Sequence, residues 1–254
     1  MITWIRFRRG ICVMTPCERN YNIMEQIKDR DENDNTSSCK VILPFAIERE
    51  YTFAEAKLQK KPFYTFIKRL FDIVFGILGL VLTFPLMLII AVIIKCSSKG
   101  KVLYIQERLG YKGKTIRVPK FRSMHEDAEK NGAQWSEGDD DERIFAFGRI
   151  LRKTRMDELP QFFCCVIGTM SFVGPRPERE CFALEFEKYI HGFSERLKVK
   201  PGITGWAQIN GGYNLKPEEK IVYDIEYIEK RSLWMDLKIL FRTVFVVLIH
   251  KDAK

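Results

Sequence analysis

From Ile73 to Ile94 the chain reads IVFGILGLVLTFPLMLIIAVII, an apolar run with no charge in which Thr83 is the one polar side chain. The pattern predicts a helix in contact with lipid, and at 1.5 Å per residue it would reach about 33 Å, enough to cross a hydrocarbon core of roughly 30 Å. Two features speak against a simple crossing. Pro85 lies near the middle, where it lacks an amide donor and crowds the carbonyl of Val81, so a sharp bend is expected. The flanks are also equally basic: Lys57, Lys60, Lys61, Lys68 and Arg69 precede the run, and Lys95, Lys99, Lys101, Arg108 and Lys112 follow it. The tendency of bases to stay on the cytoplasmic side therefore selects neither end. If both flanks remain on that side, the segment enters and leaves one leaflet as a re-entrant helix-break-helix. The alternative is a single-pass anchor kinked at Pro85, with Thr83 satisfying a freed carbonyl.

Beyond this run the alternation changes. Val102 to Gln106 and Thr115 to Val118 read as strands joined by a turn containing Gly110 and Gly113, which predicts a β-hairpin. His125 to Glu142 has no apolar period and reads as a solvated loop. Helical spacing returns over Ile144–Lys153, Glu158–Val166, Glu178–Tyr189 and Pro217–Lys230, the last with Ile221, Ile225 and Ile228 on one face. A final helix places Leu233, Leu237, Leu240, Phe241, Val244 and Leu248 on one stripe, with Asp236, Lys238 and Arg242 off it. Too short to span, it packs either in a core or in the headgroup layer. Before the apolar run, residues 1 to about 60 combine a basic start (Arg6, Arg8, Arg9) with the polar stretch KDRDENDNTSSCK and read as a flexible extension. The broken apolar pattern at the start disfavours a secretory signal. The expected division is an extension over 1–60, a membrane-anchoring segment over 61–98 and a catalytic domain over 99–250, in an α+β monotopic membrane protein with several amphipathic interfacial helices.

Composition sharpens this picture. The 254 residues carry 42 Lys+Arg against 33 Asp+Glu, a formal charge of +9, with 46% hydrophobic residues, which fits a folded chain and neither a collagen-like nor a disordered one. Eight of the acids lie between His125 and Glu142, so the remainder is more basic still and suits an anionic partner: nucleic acid, an acidic lipid surface or a phosphorylated substrate. The bases are scattered and no nucleic-acid-binding motif appears, which disfavours the first. Seven cysteines without a CxxC pair read as reduced thiols, and the three histidines stand too far apart for a zinc site. Neither a dinucleotide fingerprint nor a P-loop is present.

Candidate chemistry concentrates in GRILRKTRMDELPQ and GTMSFVGPRPERE, residues 148–161 and 168–180, where carboxylates and guanidiniums mix. By pattern alone Asp157 and Glu158 fit two readings equally: the acidic first turn of a helix with Pro160 just inside it, or a site that handles phosphate and a divalent cation. The runs KRLFD (68–72), QERLG (106–110), PKFRSM (119–124), LRKTRMDELPQ (151–161), MSFVGPRPE (170–178), KPGITGWAQING (200–211), YDIEYI (223–228) and SLWMDLKIL (232–240) occur in one order. In that order they resemble the bacterial sugar transferase family, the monotopic phosphoglycosyl transferases, over about residues 66–248. Phe84, Thr169, Cys164 and Cys165 depart from the family's common residues.

The resemblance, which is to the small catalytic-core form, implies transfer of a sugar-1-phosphate from a UDP-sugar to polyprenyl (undecaprenyl) phosphate with release of UMP. It implies Asp157 as nucleophile in a covalent, ping-pong mechanism, Glu158 as a base or as a ligand with Asp157 for Mg²⁺, and Lys120, Arg152 and Arg176 near the phosphates. The implied place is the cytoplasmic face of the bacterial inner membrane, at the first membrane step of a surface glycan such as capsule, O-antigen or exopolysaccharide. Membrane lipids and downstream glycosyltransferases would be its neighbours there. The competing expectation is a basic, membrane-tethered binding or scaffold protein without catalysis.

Overall fold

The computed structural model describes residues 41–43, 47, 49–126, 128, 133–134, 141–211 and 215–249. The expectations for residues 1–40 and for most of the acidic stretch fall outside them. In chain order the elements are β1 (Val41–Ile42), β2 (Tyr51–Thr52), α1 (Pro62–Ser97), β3 (Leu103–Leu109), β4 (Thr115–Phe121), β5 (Ala133–Gln134) and α2 (Ala146–Lys153). A 3₁₀ segment, Met156–Gln161, leads into α3 (Phe162–Ile167), β6 (Ser171–Val173), α4 (Glu180–Tyr189) and β7 (Ile190–His191). A second 3₁₀ segment, Phe193–Lys198, precedes β8 (Gly202–Thr204), α5 (Trp206–Gly211), α6 (Pro217–Lys230) and α7 (Leu233–Ile249). The fold is of mixed helix and strand, with one long apolar helix and four two-stranded sheets among the described residues: antiparallel β3–β4, and parallel β1–β5, β2–β7 and β6–β8.

The apolar run belongs to α1, a 36-residue helix that continues through Pro85. Thr83 Oγ1 donates to the carbonyl of Gly79 at 2.7 Å. Both ends of α1 pack on the same body. Near its start, Tyr64 Oη and Lys68 Nζ each donate to Asp236 Oδ2 of α7 at 2.8 Å, and Arg69 donates to the carbonyls of Cys165 and Val166, each at 2.6 Å. Asp72 accepts from Ser171 Oγ at 3.0 Å and from the amide of Phe172 at 2.9 Å. Glycines allow α1 to lie directly on α3: a Cβ at Gly76 would stand 2.7 Å from Val166 Cγ2, and one at Gly79 2.8 Å from the Phe162 ring. Farther along, Ile90 and Ile94 are buried with Phe121, Phe145 and Leu151. The opposite face, spaced three or four residues apart through Phe66, Leu70, Val74, Ile77, Val81, Phe84, Leu88 and Val92, is exposed and apolar throughout.

Residues 51–56, within the span read as an extension, pack on later elements: β2 pairs with β7, and Phe53 and Ala56 are each buried in an apolar cluster. The helix expected over Glu158–Val166 divides into the first 3₁₀ segment and α3, because Pro160 withholds an amide inside it. The stripe expected on the last helix faces outward at Leu233, Leu237, Phe241 and Val244, while Asp236 and Ile239 face the interior. Asp236 is buried because Tyr64, Lys68 and Tyr227 converge on its oxygens.

Candidate active site

Three pieces of chain meet at one cleft. The hairpin contributes β4, where Lys120 lies opposite Tyr104 with its ammonium 5.7 Å from the centre of the Tyr104 ring. The second piece is the turn after α2. Arg155 adopts left-handed backbone (φ 58°), a conformation that costs a residue with a Cβ about 1 kcal/mol or more, and it redirects the chain into the 3₁₀ turn carrying Asp157 and Glu158. The third is the loop after β6. The amide of Gly174 donates to the carbonyl of Thr204, and that of Gly202 to the carbonyl of Pro175, each at 2.9 Å. A Cβ at Gly202 would stand 2.1 Å from the nitrogen of Gly174, so these two segments pack as closely as backbone allows. That splice fixes Pro175 and Pro177 on either side of Arg176.

Arg176 then reaches the acids. Its Nη2 donates to Glu158 Oε1 at 2.6 Å and its Nη1 to Oε2 at 3.4 Å, while Arg155 Nη1 stands 3.7 Å from Oε1. Burial works against charge on Glu158, but the Arg176 and Arg155 guanidiniums prevail and hold its carboxyl down to about 2. Asp157 goes the other way. Burial, reinforced by the adjacent Glu158 carboxylate, pushes it up to about 6 against the pull of Lys120, Arg176 and Arg152. Two neighbouring carboxyls thus differ by environment, one fixed as an anion and one poised near neutrality, the separation that acid–base and nucleophilic sites use. Lys120 is brought down to about 7, by burial first and then by the Arg108 and Arg176 cations.

The cleft has a volume of about 630 Å³, and Asp157, Glu158, Lys120, Arg152 and Arg176 all line it. All five residues singled out in the sequence are therefore brought together. Its described lining includes eleven Lys or Arg side chains against five Asp or Glu, a strongly positive basin. Asp157 Oδ1 is buried there without a hydrogen-bond partner among the described residues. The described residues hold no group of three or more His, Cys, Asp or Glu side chains able to enclose a metal ion. Sequence reasoning missed the far wall, where Arg196 Nη2 forms an ion pair with Asp224 Oδ2 at 2.8 Å beside Glu178 and Lys220. Burial pushes Asp224 up to about 6. Arg196 and Lys220 come from separate elements, and isolated bases in a basic chain carry no signal of convergence.

A sequence model described as bacterial sugar transferase matches residues 63–250. Among characterised proteins, the chain is 43% identical over 200 residues to a UDP-N-acetylgalactosamine-undecaprenyl-phosphate N-acetylgalactosaminephosphotransferase of Aeromonas hydrophila, covering 78% of this chain and 47% of that one. It is 46% identical over 191 residues to a UDP-glucose:undecaprenyl-phosphate glucose-1-phosphate transferase of Klebsiella pneumoniae, covering 73% of this chain and 41% of the relative. It is 34% identical over 200 residues to the exopolysaccharide production protein ExoY of Sinorhizobium fredii, covering 73% of this chain and 87% of that one. The chain thus spans less than half of the first two relatives and most of the third.

Proposed function

As this chain belongs to the bacterial sugar transferase family, we propose that it transfers a sugar-1-phosphate from a UDP-sugar to polyprenyl phosphate, releasing UMP. The observation that carries the reading is the convergence of Asp157, whose buried Oδ1 has no hydrogen-bond partner among the described residues, and Glu158 with Lys120, Arg152 and Arg176 in one cationic cleft. A carboxylate can approach a pyrophosphate only where fixed cations offset the repulsion between anions, and this cleft supplies them.

In the first half-reaction an Asp157 oxygen attacks the β-phosphorus of the UDP-sugar. An oxygen–phosphorus bond forms to the carboxylate, the bond to the bridging oxygen breaks, and UMP leaves with that oxygen. In the second, a phosphate oxygen of the polyprenyl phosphate attacks the same phosphorus, the bond to Asp157 breaks, and the carboxylate is restored as the polyprenyl-diphosphate-linked sugar departs. Lys120, Arg152 and Arg176 bind phosphate oxygens, and Glu158 holds Arg176 in place. Mg²⁺ fits this site as a cation shared with the substrate, since such an ion takes one or two carboxylate oxygens alongside phosphates and water. Asp157 Oδ1 is the open donor, because both Glu158 oxygens already face arginine. When bound, the ion would neutralise pyrophosphate charge. The names of the relatives point to a glucose or N-acetylgalactosamine donor, so UMP release is to be measured with UDP-glucose and UDP-N-acetylgalactosamine in the presence of undecaprenyl phosphate. Release with at least one donor is expected, and a binding or scaffold protein would release none.

The same reading places the protein on the cytoplasmic face of the bacterial inner membrane, supplying later glycosyltransferases of a capsule, O-antigen or exopolysaccharide route. For α1 it supports re-entrant topology: a helix with both ends packed on one body does not deliver them to opposite sides of a bilayer, while its outward stripe, with Phe163, Ile167 and the exposed side of α7, suits one leaflet. Single cysteines placed at Lys60 and at Lys99 in a background without other cysteines should both react with an impermeant thiol reagent from the cytoplasmic side. Reaction from opposite sides would contradict this topology.

A further inference from the structure

The entrance to the cleft contains a feature the phosphate chemistry does not use. Strand β3 begins with Leu103, Tyr104 and Ile105, and all three are open to solvent, at 44%, 40% and 58% exposure. Farther along, β3 buries a side chain on each face, Gln106 on one and Leu109 on the other. At its start, both faces are uncovered and apolar. The same three residues line a cleft whose other described walls are mostly charged. Leaving such side chains wet is unfavourable, and a sugar nucleotide gains little from a branched aliphatic wall.

The position of this patch is informative. Leu103 pairs with Phe121 and Tyr104 with Lys120. Phe121 is buried with Ile90 and Ile94 of α1, and Val102 packs on the same cluster. Arg122 donates to the carbonyls of Lys99 and Ser98 just past the end of α1, at 2.6 and 2.8 Å. The base of the hairpin is thereby fixed to the C-terminal end of the apolar helix, and its other side opens on Lys120 and the acids. Lys120 and the Tyr104 ring under it share one face of the hairpin, while Leu103 and Ile105 lie on the other face, the one Phe121 turns toward α1, and all four line the same cleft. A cation beside the acids and an aliphatic edge toward the membrane helix suit an amphiphile with a phosphate head and a hydrocarbon tail.

We propose that Leu103, Tyr104 and Ile105 form a ramp that receives the prenyl chain of the lipid acceptor next to its phosphate and leads it from the membrane helix to Asp157. The inference rests on the transferase reading above and adds to it where the acceptor's first isoprene units lie. Tyr104 also supports Lys120, so the test uses its two neighbours. The double variant Leu103→Ser/Ile105→Ser, full-length and in lipid nanodiscs, is compared with the unaltered protein. UMP release in a single turnover without acceptor should be unchanged. The KM for undecaprenyl phosphate should rise about tenfold with little change in kcat, since two partly exposed apolar contacts are lost. With a methyl phosphate acceptor, too short to touch the ramp, the two proteins should be indistinguishable. Leu103→Met/Ile105→Leu should restore the low KM. A photoreactive prenyl phosphate with its label beside the phosphate should attach to residues 103–105 of the unaltered protein.

An unchanged KM for the long acceptor, an equal loss with methyl phosphate, slowed UMP release in the first half-reaction, or labelling elsewhere would each overturn the ramp. These outcomes are distinct from failure of the underlying reading, which would appear as an unaltered protein that releases no UMP from any UDP-sugar.

Discussion

Asp157→Asn is expected to reduce UMP release by at least about 10³-fold while leaving the protein folded. The exchange is nearly isosteric and removes the attacking anion. It takes away no hydrogen bond from Asp157 Oδ1, which has no partner among the described residues. Stability should hold or improve. Because burial, with Glu158, pushes the Asp157 carboxyl up to about 6, the folded chain disfavours its ionised form. That cost is fully present above pH 6 and fades as the pH falls toward the unfolded value near 4. At neutral pH asparagine removes it, so thermal unfolding of the variant in detergent should occur at the same temperature or higher. The pH profile of the parent follows from the same groups. Single-turnover UMP release should fall as the pH drops through about 6 and Asp157 takes a proton. In kcat/KM a second limb should appear as Lys120, held to about 7 in the free protein, loses its charge.

The second large effect is expected at Arg176. Arg176→Met should lower kcat/KM on the order of 10²-fold, the loss typical of removing one fixed donor from a site where charge develops. It should also destabilise the fold, because Glu158 would remain buried without its hydrogen-bonded guanidinium, with Arg155 3.7 Å away and Lys120 acting from farther off. The direction with pH can be stated. A carboxyl held low contributes stability above its unfolded value near 4, and that stability is lost as the pH falls toward about 2. Without Arg176, burial dominates and the Glu158 carboxyl titrates higher, so the variant should lose stability at a higher pH than its parent. Arg176→Lys should rescue poorly, since an ammonium cannot reproduce the paired contacts of the guanidinium on both carboxylate oxygens. Urea unfolding at pH 7 and pH 5 would measure the difference.

Local rules made much of this molecule legible. Helix α6 occurs at its expected bounds, Pro217–Lys230, because proline at its start, Glu219 bonding back to the amide of Lys216 at 3.0 Å and the Ile221, Ile225, Ile228 spacing all agree. The hairpin is likewise legible, although its strands extend three residues farther, to Leu109 directly before Gly110 and to Phe121. The three-residue strands β6 and β8 were not legible: their register links Ser171 to Gly202 across intervening helices, and so short a run has no period of its own. Asp236 misled for a related reason. On its own helix it marks the polar side, yet partners from α1 and α6 bury it, and the apolar stripe faces outward. At the site, motif resemblance located the five residues, while the far wall of Arg196, Lys220 and Asp224 needed the fold to assemble it.

The central claim is that Asp157 carries the phosphosugar between donor and acceptor. Incubation with a UDP-sugar in the absence of polyprenyl phosphate, followed by a rapid acid quench and mass spectrometry of the peptides, tests it most directly. The account predicts a mass increase equal to the sugar phosphate on the peptide containing Asp157, formed in step with one equivalent of UMP and lost on addition of undecaprenyl phosphate. Product formation at the full rate with no adduct at any time, or an adduct on another residue, would contradict it.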